Sequence, residues 1–286
     1  MSVYVTERTY LSVERVFLLV MATDITGRYL AVAYGAGTNS TALLIEFVRL
    51  GIRPGLILFS DTLGERPETY AFLRTFSAWL QSKGFPEIIT VRKGHRKGFP
   101  DEGLEQNCLR KNMLPSIAYG FKTCSEKFKT RAQEKFIHHY SETRAVLKSG
   151  QKLLKVIGYD AGEERRAKPY VHPEYDYFYP LIEWGWDREK CSQVVRDAGF
   201  KVAKSACFFC PSTTKPEIIQ LRDEHPDLLA RALAMEANAA ANLVTVKGLG
   251  RRFSWTEFIE SLKKNQSDAC KWEGDVETPC GCYDGG

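Results

Sequence analysis

The chain has 286 residues, 44% of them hydrophobic, and a formal net charge of +5. That length can hold one large α/β domain with an added lobe, and because no run of about 18 apolar residues occurs, a membrane-spanning helix is excluded and a cytoplasmic location is expected. The charge is modest but clustered: Arg92, Lys93, His95, Arg96 and Lys97 form one group, Lys122, Lys127, Lys129 and Arg131 a second, and Arg251 and Arg252 a third.

In chain order, Val16 to Met21 is too short and too closely flanked by Glu14, Arg15 and Asp24 for a secretory signal, and reads as an element packed on the core. Tyr29 to Ala33 are apolar enough for a buried parallel strand over 29–34, which breaks into Gly35-Ala36-Gly37-Thr38-Asn39-Ser40 and restarts as a helix from Thr41 to Leu50. The two glycines permit backbone geometries that a Cβ would block. Asn39, Ser40 and Thr41 are cap-forming residues, so free N–H groups and the positive end of a helix converge at one point after Tyr34. An anion belongs there. No lysine follows the last glycine, as a Walker-type loop requires, and Ser40 stands where a dinucleotide fingerprint has its third glycine.

A second strand is expected over 55–60, ending in Ser60, Asp61 and Thr62, with a helix opening at Pro67 and Glu68. Further strands are expected near 87–92 and 153–158, and helices over 187–198 and 255–263. These elements predict a doubly wound parallel α/β sheet over residues 1–205, followed over 206–286 by a smaller, mostly helical lobe and a polar, Gly-rich tail.

The eight cysteines, at 108, 124, 191, 207, 210, 270, 280 and 282, suit a metal or redox role better than a disulfide framework. Cys207-Phe-Phe-Cys210 has the spacing that brings two thiolates to one metal, for zinc and iron–sulfur clusters alike.

Several segments together carry a family resemblance. Gly35 to Ser40 resembles the Ser-Gly-Gly-x-Asp-Ser loop of the PP-loop ATP pyrophosphatases, with Asn39 in place of the Asp. Asp61-Thr-Leu-Gly-Glu-Arg-Pro-Glu-Thr-Tyr70 resembles the Asp-Thr-Gly-x-x-x-Pro-Glu-Thr-Tyr signature of the phosphoadenosine phosphosulfate (PAPS) reductases. Val156 to Arg166, Tyr179-Pro-Leu181 and Lys204-Ser-Ala-Cys-Phe-Phe-Cys-Pro-Ser212 resemble other elements of that family, the last in its phage and bacterial branch with a Cys-x-x-Cys-Pro motif.

The resemblance implies an adenine nucleotide alpha-hydrolase-like fold in which Tyr34 to Thr41 and Ser60 to Thr62 bind ATP or PAPS. It implies that Asp61, directly or through Mg2+, organises the α-phosphate while Arg165, Arg166 and Lys168 neutralise charge. It also implies Cys124 as a third ligand beside Cys207 and Cys210 of a [4Fe–4S] cluster or Zn2+; the fourth is Cys108, which shares the basic, loop-rich region of Cys124, with Cys191 on the helix after Tyr179-Pro-Leu181 as a close rival. The expected activity is adenylation of a substrate with release of pyrophosphate and support of sulfur transfer, with a nucleic acid as one acceptor class and a sulfur-donor protein as partner.

Two other activities fit the same residues. One is a sulfonucleotide reductase, whose flexible terminal cysteine Pro279-Cys280-Gly281-Cys282 would supply; the other is a nucleotide-binding adaptor without catalysis.

Overall fold

The structure is a computed structural model that describes residues 23–94, 103–167 and 171–264. Five strands, β1 (Leu30–Tyr34), β2 (Leu56–Asp61), β3 (Ile88–Arg92), β4 (Leu153–Ile157) and β5 (Tyr175–Phe178), form one all-parallel sheet in the order β3-β2-β1-β4-β5. β1, β2 and β4 are buried along their whole length, as expected of central parallel strands covered on both faces. Their side chains alternate between two cores. Leu30, Val32, Tyr34, Ile57, Phe59, Leu154 and Val156 face one, and Ala31, Leu56, Leu58 and Leu153 face the other. Lys155 is the charged exception. It lies over the Tyr175 ring at 5.3 Å, and burial pushes its pKa down to about 8.

The longer helices are α1 (Thr38–Leu50), α2 (Pro67–Ser82), α3 (Leu104–Arg110), α4 (Arg131–His139), α5 (Ser141–Lys148), α6 (Arg188–Asp197), α7 (Lys215–Glu224), α8 (Pro226–Ala239) and α9 (Trp255–Lys264). None of the described helices is long and apolar enough to cross a membrane. The first core is filled by Leu43, Leu44 and Phe47 of α1, Leu73 and Phe76 of α2, and Cys191 and Val195 of α6. α1 stops where Gly51 turns left-handed at φ 70°, and the Ile52 N–H closes the turn on the Phe47 carbonyl at 2.9 Å.

A third core has no strand in it. Leu104, Cys108, Leu114, Ile117, Cys124 and Phe128 pack there with residues 206–210, Ile218, Leu221, Leu229, Met235, Trp255 and Phe258. The cysteine core therefore joins the segment after β3, ending at Phe128, to the carboxyl-terminal segment that begins at Ala206. Glu236 on α8 holds this lobe together. Its carboxylate accepts hydrogen bonds from the backbone N–H groups of Leu249 (2.7 Å), Trp255 (2.9 Å) and Thr256 (2.9 Å) and from the hydroxyls of Ser254 (2.5 Å) and Thr256 (2.7 Å). A carboxylate so placed satisfies the otherwise unpaired amino end of α9. Burial pushes its pKa up, but these hydrogen bonds outweigh burial and leave it below the usual carboxylate value.

Two expectations need correction. α1 begins at Thr38, three residues before the expected start, so Asn39 and Ser40 lie within its first turn. β5, a four-residue edge strand of sequence Tyr-Asp-Tyr-Phe, joins the four expected strands. The element at Val16 to Met21 falls outside the described residues.

Candidate functional site

The sheet order places the change of winding direction between β1 and β4, because β2 and β3 extend to one side of β1 and β4 and β5 to the other. In open α/β sheets a crevice opens at that point beyond the carboxyl ends of the strands. The loop from Gly35 to Thr38 emerges there beside the segment from Gly158 to Arg166. A Cβ on Gly158 would stand 3.1 Å from the Ser40 Cα and 3.2 Å from its nitrogen, so a glycine lets β4 run close to the start of α1.

Within the loop the left-handed residue is Ala36, at φ 57°, and not one of the expected glycines. Gly37 is the N-cap of α1 in an extended conformation, and a Cβ placed on it would meet nothing within 4 Å. No side chain caps the helix, and the Thr41 N–H is the first to find an intrahelical partner, the Gly37 carbonyl at 3.1 Å. The N–H groups of Thr38, Asn39 and Ser40 are thus the donors that a helix of this length turns toward an anion.

The loop side chains have other work. The Ser40 hydroxyl donates to the Gly37 carbonyl (3.2 Å) and accepts from the Gly35 N–H (3.3 Å), bracing the turn. Thr41 is fully buried and shares a 3.0 Å hydrogen bond with the Tyr34 hydroxyl. Asn39 is the connector to the rest of the site: its amide donates to Asp160 (2.8 Å) and Glu163 (3.4 Å), and its carbonyl accepts from Arg188 of α6 (2.9 Å). An aspartate at position 39 would face two carboxylates without a proton between them. Asparagine is the residue that serves an anion on one side and a cation on the other.

Arg166 is ion-paired to Glu163 and lies over the Tyr159 ring at 4.2 Å, whereas Arg165 is exposed on the same short helical turn. Lys168 lies outside the described residues. Asp160, Glu163 and Arg188 were not picked out from the sequence. The first two stand in the quoted segment 156–166, but nothing in the pattern tells that they turn back onto Asn39.

The carboxyl end of β2 leads to the cysteines. Asp61 is buried, and its carboxylate accepts from the Leu63 N–H (2.8 Å), the Tyr70 hydroxyl (2.8 Å) and Arg92 Nε (3.0 Å). These bonds fix a tight turn in which Leu63 takes φ 59°. Ser60 donates to the Lys129 carbonyl (3.2 Å), in a π-helical stretch over Glu126–Thr130 that connects Cys124 to α4. Thr62 bridges outward: its hydroxyl meets Cys207 Sγ at 3.1 Å, and its carbonyl accepts the Leu104 N–H (3.0 Å) at the start of α3, the helix that carries Cys108. Next to it, the Gly64 carbonyl accepts the Phe208 N–H (2.8 Å), and a Cβ on Gly64 would come within 2.8 Å of the Phe209 ring.

Cys108, Cys124, Cys207 and Cys210 are all buried in the one cysteine core, and Cys108 and Cys124 line a common cavity of about 80 Å³. Cys191 belongs to the other core, between α1 and α6, where burial pushes its thiol up to about 12, unfavourable for a thiolate ligand. Cys270, Cys280 and Cys282 lie outside the described residues, as do His95, Arg96, Lys97 and Phe99. Among the described residues the group of three ligand-type side chains that closes to within 4.8 Å is Glu68, Glu224 and His225 on the surface, not the cysteines.

The structure is similar in part to PAPS reductase from Candida auris in its phosphate complex, with 19% identity and a TM-score of 0.42 over 62% of this chain and 76% of that one. It is also similar to the U34-tRNA thiolase NcsA from Methanococcus maripaludis with its [4Fe–4S] cluster, with 12% identity and a TM-score of 0.43 over 87% of this chain and 86% of that one. No protein-family model and no curated protein matches the sequence.

Proposed function

We propose that the chain is a PAPS reductase-like, PP-loop enzyme that binds ATP at the β1–β4 crevice, adenylates an acceptor and supports transfer of sulfur to it. The observation that carries this reading is Thr62. One residue at the carboxyl end of β2, the strand next to the anion loop, contacts Cys207 and starts the helix of Cys108. A phosphate site and a thiol site built on adjacent strand ends suit a reaction in which a nucleotide activates the atom that sulfur replaces.

In that reaction an acceptor oxygen bonds to the α-phosphorus of ATP while the bond from that phosphorus to the bridging oxygen breaks, and pyrophosphate leaves. A reduced sulfur donor, a protein partner in this reading, then displaces the adenylate as AMP. The N–H groups of Thr38, Asn39 and Ser40 take phosphate oxygens, worth most where water is excluded. Arg188, held by Asn39, and Arg166, held by Glu163, supply positive charge, and the exposed Arg165 is free to add to it on the same helical turn. Asp160 and Glu163 are the carboxylates that would hold a Mg2+ accompanying the nucleotide, which would neutralise phosphate charge there. Asp61 acts through the loop that it fixes.

Four buried thiols on segments that fold together fit a metal group, with Cys108, Cys124, Cys207 and Cys210 as its holders. Among the described residues no three of these sulfurs close to within 4.8 Å of one another, and four thiolates are the donor set that a tetrahedral zinc and a [4Fe–4S] cluster both take. Of the two, a [4Fe–4S] cluster is the group whose chemistry would serve sulfur transfer. When bound, it would supply reduced sulfur or electrons beside the activated acceptor.

The test is pyrophosphate release from ATP by the full chain, with an Arg188→Ala variant as control. ATP-dependent release that falls in the variant supports the reading. Release of sulfite from PAPS and a thiol donor, with none of pyrophosphate from ATP, would replace it by the reductase.

A further inference from the structure

The segment that rims the Cys108–Cys124 cavity exposes apolar and cationic side chains together. The cavity is lined by Lys111, Met113, Thr123 and Lys127 together with the two cysteines. Of the four large hydrophobic side chains exposed among the described residues, two stand on this segment: Met113 at 44% and Phe121 at 65%. The ring of Phe121 is not at the end of a loose loop. Gly120 turns left-handed at φ 89°, and the Phe121 N–H is bonded to the Ser116 carbonyl at 3.0 Å. Ser116 in turn accepts the Cys124 N–H at 2.8 Å, so the loop that presents Phe121 is tied to the cysteine itself.

Lys111 and Lys127 on the cavity and Lys122, next in the chain after Phe121, are all exposed, and among the described residues none of the three is ion-paired. The nearby acids are occupied: Glu126 pairs with Arg131, and Glu105 is buried against Arg231.

We propose that this rim docks a single-stranded polynucleotide, with Phe121 and Met113 stacking against its bases and Lys111, Lys122 and Lys127 meeting its phosphates, so that the edge of one base enters the cavity toward Cys108 and Cys124. An exposed ring beside cations that no described acid pairs is the combination that recognises unpaired bases on a charged backbone. A duplex keeps its base faces covered and offers the ring nothing. A purely acidic protein segment would use the lysines and leave Phe121 in water. The inference rests on the sulfur-transfer reading for why thiols lie at the bottom of the cavity, and it names the acceptor class.

The experiment is fluorescence anisotropy of the full chain with labelled single strands of about 12 nucleotides, RNA and DNA, and with the corresponding duplexes, at low and moderate salt. Single strands should bind and duplexes more weakly. Phe121→Ala should weaken binding roughly 5- to 150-fold with the salt dependence unchanged. Replacing Lys111, Lys122 and Lys127 together by Gln should flatten the slope of log K against log salt by about 2.

Unchanged affinity in Phe121→Ala, or displacement of the strand by polyglutamate as readily as by unlabelled strand, would overturn the proposal. ATP binding and melting temperature of each variant establish that it is folded. A chain that binds ATP and releases pyrophosphate but binds no single strand sinks the docking surface alone. One that binds the strand through Phe121 but releases no pyrophosphate upholds the surface and sinks the ATP reading.

Discussion

The anion loop and the cysteine core are built in opposite ways. The loop is local: one strand, one turn and one helix, contiguous from Leu30 to Leu50, positioned by a sheet whose central strands are buried on both faces. The cysteine core is assembled from two segments far apart in sequence, 104–128 and 206–259, and depends on a few polar anchors such as Glu236 and Thr62. The local site should therefore survive damage that dismantles the distant one.

Glu236 offers the largest separation of the two. Glu236→Ala leaves five hydrogen-bond donors, four at the start of α9 and the Leu249 N–H before it, without their acceptor and should cost about 3 kcal/mol, because buried donors to a charge are expensive to orphan. Because the folded-state pKa is lowered, the stabilisation is present above the ordinary glutamate pKa of 4.5 and is lost as pH falls through the folded value. Urea melts of parent and variant should differ most near neutral pH and converge in acid. An equal gap at both would remove the carboxylate from the account.

Gly64→Ala is a smaller intervention at the junction itself. The new methyl would meet the fully buried Phe209 ring at 2.8 Å and Cys207 Cβ at 3.4 Å, so the Cys207–Cys210 turn must shift. Overpacking of this kind costs about 1–3 kcal/mol. Metal content should fall while ATP affinity, read by titration, stays within twofold.

Asn39→Asp acts on the other side, at the ATP loop, and is read by binding and not by stability. It puts a carboxylate against Asp160 and should weaken ATP binding even though it makes the loop more like the family pattern. Adding Asp160→Asn should restore affinity. A single variant that bound ATP more tightly would show that position 39 serves the metal and not the Asp160–Arg188 bridge.

The same contrast governs how much was legible in the sequence. Apolar runs bounded by Gly, Asp and Pro located β1 to β4 to within a residue or two, because a buried parallel strand needs only a short continuous apolar segment. β5 escaped because Tyr175–Phe178 is four residues long and carries Asp176, which is bonded to Arg28 at the sheet edge. The start of α1 was placed late because Asn39 and Ser40 have the composition of caps, whereas here Asn39 spends its amide on Asp160.

At the site, spacing alone paired Cys207 with Cys210. The choice of Cys108 over Cys191 depends on which core each helix enters, and that is a property of packing, not of the local pattern.

The most direct test of the claim that a nucleotide site and a sulfur site work as one is the iron and acid-labile sulfide content of anaerobically purified protein, set beside ATP binding, for the parent and for Cys207→Ser. The account predicts about four iron and four sulfide per chain in the parent, loss of both in Cys207→Ser, and ATP affinity retained in each. Stoichiometric zinc without sulfide in the parent would contradict it, making the four thiols a structural clamp.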